Sequence, residues 1–119
     1  MTVRVALVAA LCLAFPRVAA AHAFLDHASP SPGSVVNGAP SSIVLSFDRG
    51  IEAVFSSAHL TEDGDDTPIE TEKATGDPHD ATKLILVVPR LHAGTYHVSW
   101  SVVGRDGHRT QGDYSFVIR

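Results

Sequence analysis

Three residues, far apart in the chain, have the types and spacing to hold a metal ion. His22 follows Ala19-Ala20-Ala21, and Asp106-Gly107-His108 lies near the other end. Small residues at −3 and −1 suit a signal peptidase, and cleavage after Ala21 supplies them as Ala19 and Ala21. Cleavage after Ala20 is the poorer alternative, and cleavage after Ala19 would put Arg17 at −3. Cleavage after Ala21 makes His22 an N-terminal residue with a free amine beside its imidazole. These two nitrogens close one chelate ring without any loop to order. An α-amine with a pKa of about 7.7–8.0 gives the metal only one proton to displace near neutrality. Asp106 and His108 add an anionic oxygen and a third nitrogen. Residues two apart in an extended segment point the same way, so the pair can converge, and Gly107 lets the backbone turn tightly between them. Nitrogen and oxygen donors in a tetragonal plane are the preference of copper(II).

Each half also has an ordinary reading. Asp-Gly is a common turn pair, and a histidine beside a cleavage site can be chance in a chain with 7 histidines. The other histidines point to no site. His97 alternates with an apolar stripe and reads as a surface residue, His92 falls in a turn, and His27 is exposed near the N-terminus. Asp77, His79 and Asp80 form a solvated loop cluster. Glu62, Asp63, Asp65 and Asp66 lack the spacing of an EF-hand and read as a charged turn.

The leader determines whether the amine exists. Arg4, the apolar run from Val5 to Phe15, and the break at Pro16-Arg17 have the layout of a secretory signal over residues 1–21. The run is too short for a membrane span. Removing 21 of the 119 residues leaves 98, enough for one domain over 22–119 with one core. That part carries 7 basic and 13 acidic residues, a net charge of −6 with His neutral. Such a balance argues against nucleic acid or anionic lipid as a partner. The single cysteine, Cys12, lies in the leader, so the exported domain has no disulfide. It has no methionine either, so no soft sulfur ligand is available for copper(I).

The elements that must position these residues are strands. Pro30-Ser31-Pro32-Gly33 and Asn37-Gly38-Ala39-Pro40 are turn clusters. Ile43, Leu45 and Phe47 alternate with Ser42, Val44 and Ser46, the period of a half-buried strand. Lys83 to Val88 reads as a buried strand stopped by Pro89. Tyr96, Val98, Trp100 and Val102 form a long stripe, and Tyr114, Phe116 and Ile118 form the last. Residues 61–82 are polar, with one short strand expected near Ile69. About seven short strands in this length predict an all-β, immunoglobulin-like sandwich. Ala93 to Val98 has the form of a tyrosine corner, with Val98 where a cysteine would stand. Tyr96 and Trp100 are therefore expected in the core.

Taken together, several stretches in order resemble the CopC family of periplasmic copper-binding proteins over nearly the whole exported chain. They are His22 to Leu25, Ser29 to Ser34, Ile43 to Phe47, Leu91 to Trp100, Asp106 to His108 and Gly112 to Val117. The resemblance implies an immunoglobulin-like or cupredoxin-like Greek-key β-sandwich. It implies copper(II) bound by His22, Asp106 and His108, and a monomeric carrier or sequestering protein in copper resistance and homeostasis rather than an enzyme. A CopD-type inner-membrane copper-transport protein is the implied partner. Two departures stand out. Some members carry a methionine-rich loop for copper(I), whereas residues 53–72 here hold His59 and no methionine. Arg49, beside Asp48, stands where the family often has Glu. Two other functions compete. A terminal histidine with a second histidine also forms the brace of copper oxygenases that attack polysaccharides, though these usually need a longer chain and a flat substrate face. A metal-free β-sandwich acting as an interaction module is the third.

Overall fold

The computed structural model describes residues 22–119, so the expected leader and its cleavage site lie outside the described residues. Eight strands follow one another: β1 (Leu25–Ser29), β2 (Val35–Val36), β3 (Ser42–Phe47), β4 (Ser57–Glu62), β5 (Thr75–Asp77), β6 (Asp80–Val87), β7 (Gly94–Val103) and β8 (Arg109–Ile118). A single 3₁₀ turn, Ala53–Phe55, interrupts them, and no α-helix occurs among the described residues. Two four-stranded sheets form, in the orders β1-β3-β6-β5 and β2-β8-β7-β4. All pairings are antiparallel except that of β2 with β8. The chain crosses between sheets at each step from β1 to β5, and again from β6 to β7. The result is the expected all-β sandwich, with the two-residue β2 bringing the strand number to eight.

Period-two patterning builds the core. Ile43, Leu45 and Phe47 of β3 meet Tyr96, Val98 and Val102 of β7 and Phe116 and Ile118 of β8, all buried. Their apolar surface leaves water at about 25 cal/mol per Å². The tyrosine corner forms as read: the Tyr96 hydroxyl donates to the His92 carbonyl at 2.7 Å. The Tyr96 ring stacks on Phe116 with centroids 5.8 Å apart.

Three expectations need correction. Trp100 belongs to the inward stripe and packs edge-on against Phe47, with centroids 5.2 Å apart, but it is only half-buried. Its ring spreads sideways across Gly112, the neighbour in register on β8. A Cβ at Gly112 would lie 2.4 Å from the ring, so the missing side chain is what admits the indole. The short strand in the polar segment is Thr75–Asp77, not a strand at Ile69. Ile69 instead packs against the core, and its N–H donates to the Leu60 carbonyl at 2.7 Å. An isolated apolar residue marked a packing contact there, not a period. Finally, β6 starts three residues before Lys83, because pairing with β5 extends it into a tight hairpin.

One end of the sandwich gathers the start of β1, the end of β3, the β3–β4 crossing and the β7–β8 turn. Ile51 bridges to Gly104, and the Glu52 N–H donates to the Val103 carbonyl at 2.8 Å. The buried Ser56 hydroxyl fastens the crossing segment twice. It donates to the Glu52 carbonyl at 2.8 Å and accepts from the Val103 N–H at 3.1 Å. The acidic turn after β4 lies at the opposite end.

Burial pushes the Tyr114 hydroxyl up to about 12, and this oxygen has no hydrogen-bond partner among the described residues. Burial, with the Glu62 carboxylate adding to it, also raises the Tyr96 hydroxyl. Groups with raised folded pKa values stabilise fully below the unfolded value of about 10 and lose that contribution as pH rises through the folded value. Folding stability is therefore expected to decline between about pH 10 and pH 12. Tyr114→Phe should be no less stable at pH 7, since it removes an unpaired buried oxygen, and should soften the alkaline decline. Denaturant midpoints of both proteins across this range check both outcomes.

Candidate metal centre

His22 and the Asp106–His108 pair come from different sheets. The first precedes β1 and the second lies in the turn joining β7 to β8. Gly107 takes φ +81°, a left-handed conformation that favours glycine. With the Gly104 N–H donating to the His108 carbonyl at 2.9 Å, and the Gly107 N–H to the Gly104 carbonyl at 3.0 Å, the turn is tightly closed. Asp106 thereby points back over its own turn: Oδ1 accepts from the His108 backbone N–H at 3.0 Å.

The other carboxylate oxygen of Asp106 is shared between two imidazoles. Oδ2 lies 3.1 Å from His108 Nδ1 and 3.3 Å from His22 Nδ1. The two rings meet edge to face with centroids 4.8 Å apart. One ligand atom from each of the three residues lies within 4.8 Å of the other two, and this is the only such group of three among the described residues. The Asp106 carboxyl is held below the usual carboxylate range. The largest cause is the His108 backbone N–H, followed by the His108 side chain, with burial opposing. Asp106 thus presents an anionic oxygen already oriented by its own turn.

His22 Nδ1 is enclosed and makes no aligned hydrogen bond among the described residues, despite its closeness to Asp106. A buried polar atom without a partner calls for an explanation, and a bound ion is one. The donor set of imidazole and carboxylate contains no sulfur, which fits copper(II) better than copper(I). His108 is largely open to solvent, with 66% of its side chain exposed, so an ion has a path in. Phe24, itself exposed, stands edge-on to the His22 ring with centroids 6.3 Å apart.

The remaining histidines are not brought to this centre. His92 Nε2 pairs with Glu62 at 2.6 Å, His97 Nε2 with Asp63 at 2.8 Å, and His27 Nδ1 with Asp26 at 3.3 Å, all at exposed sites. The Asp77, His79 and Asp80 cluster is a turn. Asp77 Oδ1 accepts from the His79 N–H at 2.8 Å, and Asp80 Oδ1 from the Thr82 N–H at 3.0 Å.

Sequence reading missed the residues around the ligands. Gly104 is buried, and a Cβ there would lie 2.8 Å from Asp106 Oδ1 and 3.6 Å from Ala23. Asp48 and Thr110 both bind the backbone just after His22. None of the three carries a spacing signal, because each acts on a neighbour distant in the chain.

Comparison with known proteins agrees with this fold. The CopC domain family matches residues 25–119. Protein YobA of Escherichia coli K12 is 39% identical over 100 residues, covering 83% of this chain and 80% of that protein. Copper resistance protein C of Escherichia coli is 35% identical over 111 residues, covering 85% and 84%. The crystal structure of CopC from Methylosinus trichosporium OB3b superposes with a TM-score of 0.76 at 33% identity, over 82% of this chain and 93% of that one.

Gly104→Ala should displace Asp106, because its Cβ meets an oxygen that the His108 N–H already holds. The expected cost is about 1–3 kcal/mol of folding stability, the usual range for an overpacked site. In amide spectra the largest changes should fall at Ala23 and at residues 104–108. A variant with unchanged stability and spectrum would show that the turn has room the geometry denies.

Proposed function

Because the chain belongs to the CopC family, we propose that it is a copper(II)-binding protein of the periplasm. In this reading it carries or sequesters the ion in copper resistance and homeostasis, and copper is its cargo. The observation that carries the reading is the convergence of His22 with Asp106 and His108, at least 84 residues further along the chain, into one group of donors. His22 offers its α-amine and Nδ1, His108 one ring nitrogen, and Asp106 a carboxylate oxygen. Four such donors fill the plane that copper(II) prefers. A filled plane leaves little room for a reacting molecule, which favours carriage over catalysis. Acquired from the periplasm, the ion would pass to a CopD-type inner-membrane transporter, with the carrier acting as a monomer.

Export makes the site in this proposal. Residues 1–21 are the signal peptide, and cleavage after Ala21 turns the His22 amide into an amine. An amide nitrogen has no lone pair free for copper near neutral pH. Ala23 is fully buried and Phe24 is hydrogen-bonded, so the backbone fixes where residue 22 begins. An added residue cannot slide the amine back into place.

The protein purified after export should bind one equivalent of copper(II), with a type-2 electron paramagnetic resonance signal and much weaker zinc. Asp106→Ala and His108→Ala should each lower copper(II) affinity by about tenfold or more while leaving the apo fold intact. Unchanged affinity in His108→Ala would overturn the assignment.

The register claim has its own test. The chain beginning at His22 should bind copper(II) more tightly than the same chain beginning at Ala21, compared against one competitor at fixed pH. Equal affinities would falsify the amine as a ligand.

A further inference from the structure

We infer that Asp48 is a positioning residue for the metal centre, acting with Thr110 to fix residues 22–24 so that His22 faces Asp106 and His108. This inference rests on the copper reading above and names what builds that site rather than what ligates the ion.

The ladder between β1 and β3 formally ends at the pair Leu25 and Phe47. It continues one step further by other means. The Asp48 backbone N–H donates to the Phe24 carbonyl at 2.9 Å. The reciprocal bond comes from the side chain: the Phe24 N–H donates to Asp48 Oδ1 at 2.8 Å. Asp48 therefore grips both backbone groups of Phe24. From the facing sheet, the Thr110 hydroxyl donates to the Ala23 carbonyl at 2.6 Å. Gly104 leaves the space into which Ala23 packs, and Ala23 is fully buried there. The two residues that follow His22 are thus held by β3's extension on one side and by β8 on the other.

This matters because an N-terminus is ordinarily the most mobile part of a domain. A ligand residue there would have to be ordered at each binding event, and that ordering opposes affinity. The hydrogen bonds of Asp48 and Thr110 order the backbone before the ion arrives. The bond to Asp48 is charge-assisted, the stronger class. Asp48 is not among the group of three residues whose donor atoms converge, so its role runs through Phe24.

The test is a copper(II) competition series on the protein purified after export. Asp48→Ala should lower affinity by about tenfold, the loss expected for one hydrogen bond to a charged group. Asp48→Asn keeps an oxygen acceptor and should stay within about threefold of the unsubstituted protein. Thr110→Val should fall as Asp48→Ala does, and Thr110→Ser should recover. At saturating copper, Asp48→Ala should give the unsubstituted paramagnetic resonance spectrum, since no ligand is lost. In a chain that begins at Ala21, where the amine is already out of place, Asp48→Ala should cost much less. Three results would sink the clamp alone, provided His108→Ala still impairs binding: unsubstituted affinity in Asp48→Ala, an Asp48→Asn loss as large as the alanine loss, or an altered spectrum at saturation. Affinity indifferent to His108→Ala would remove the centre itself and the clamp with it.

Discussion

The centre straddles the two sheets, so its geometry depends on the apolar contact that holds them face to face. His22 leads into β1 of one sheet, whereas Asp106 and His108 hang from β7 and β8 of the other. Between them lie Phe47 and Trp100, edge to face across the interlayer. Dense packing of this kind resists small displacements because each lost contact forfeits dispersion energy. No disulfide is present to supplement it, as the only cysteine precedes the described domain. The core therefore sets how the two sheets stand, and the hydrogen bonds at the sandwich end place the imidazoles within that frame.

Within that frame the electrostatics are local. The described domain carries a net negative charge, yet its acidic turn, Glu62 to Asp66, sits at the end away from the centre, where Glu62 and Asp63 are engaged by His92 and His97. Asp106 supplies the one carboxylate within the group of three. Its carboxylate is anchored through Oδ1 by its own turn, which leaves Oδ2 free to face both rings. A carboxylate oriented before binding avoids the reorganisation that a mobile one would undergo.

Much of this was legible in the chain because it is written in local pattern. The period-two stripes of β3, β7 and β8 gave their facing directions, and the tyrosine corner followed from the spacing around Tyr96. That His22, Asp106 and His108 would converge was legible because their types are few and their chemistry is specific. The rest depends on relations between distant residues. Trp100 looked fully inward because its stripe is inward, but the bare Gly112 beside it let the ring lie flat and stay half open. Ile69 looked like a strand because it is apolar in a polar stretch, and the pairing went instead to Thr75–Asp77. Arg49 drew notice as a departure from a familiar carboxylate, while Asp48 beside it turned out to hold the carboxylate that matters locally, bound to Phe24.

The end of β3 thus secures the backbone beside His22 through the Asp48 side chain. What the centre needs from the end of β3 is an acceptor for the Phe24 N–H, aimed along the continuation of the ladder. A backbone carbonyl would serve if the strand ran on, but β3 must leave the sheet here to cross toward β4 through Ile51 and Ser56. A side-chain carboxylate supplies the missing acceptor at the point where the backbone turns away. The crossing and the clamp are thus one solution to a single constraint: the strand that orders residues 22–24 must also end beside them. Side chains too short to reach, or lacking an oxygen, would leave the Phe24 N–H unpaired and residue 22 free to move.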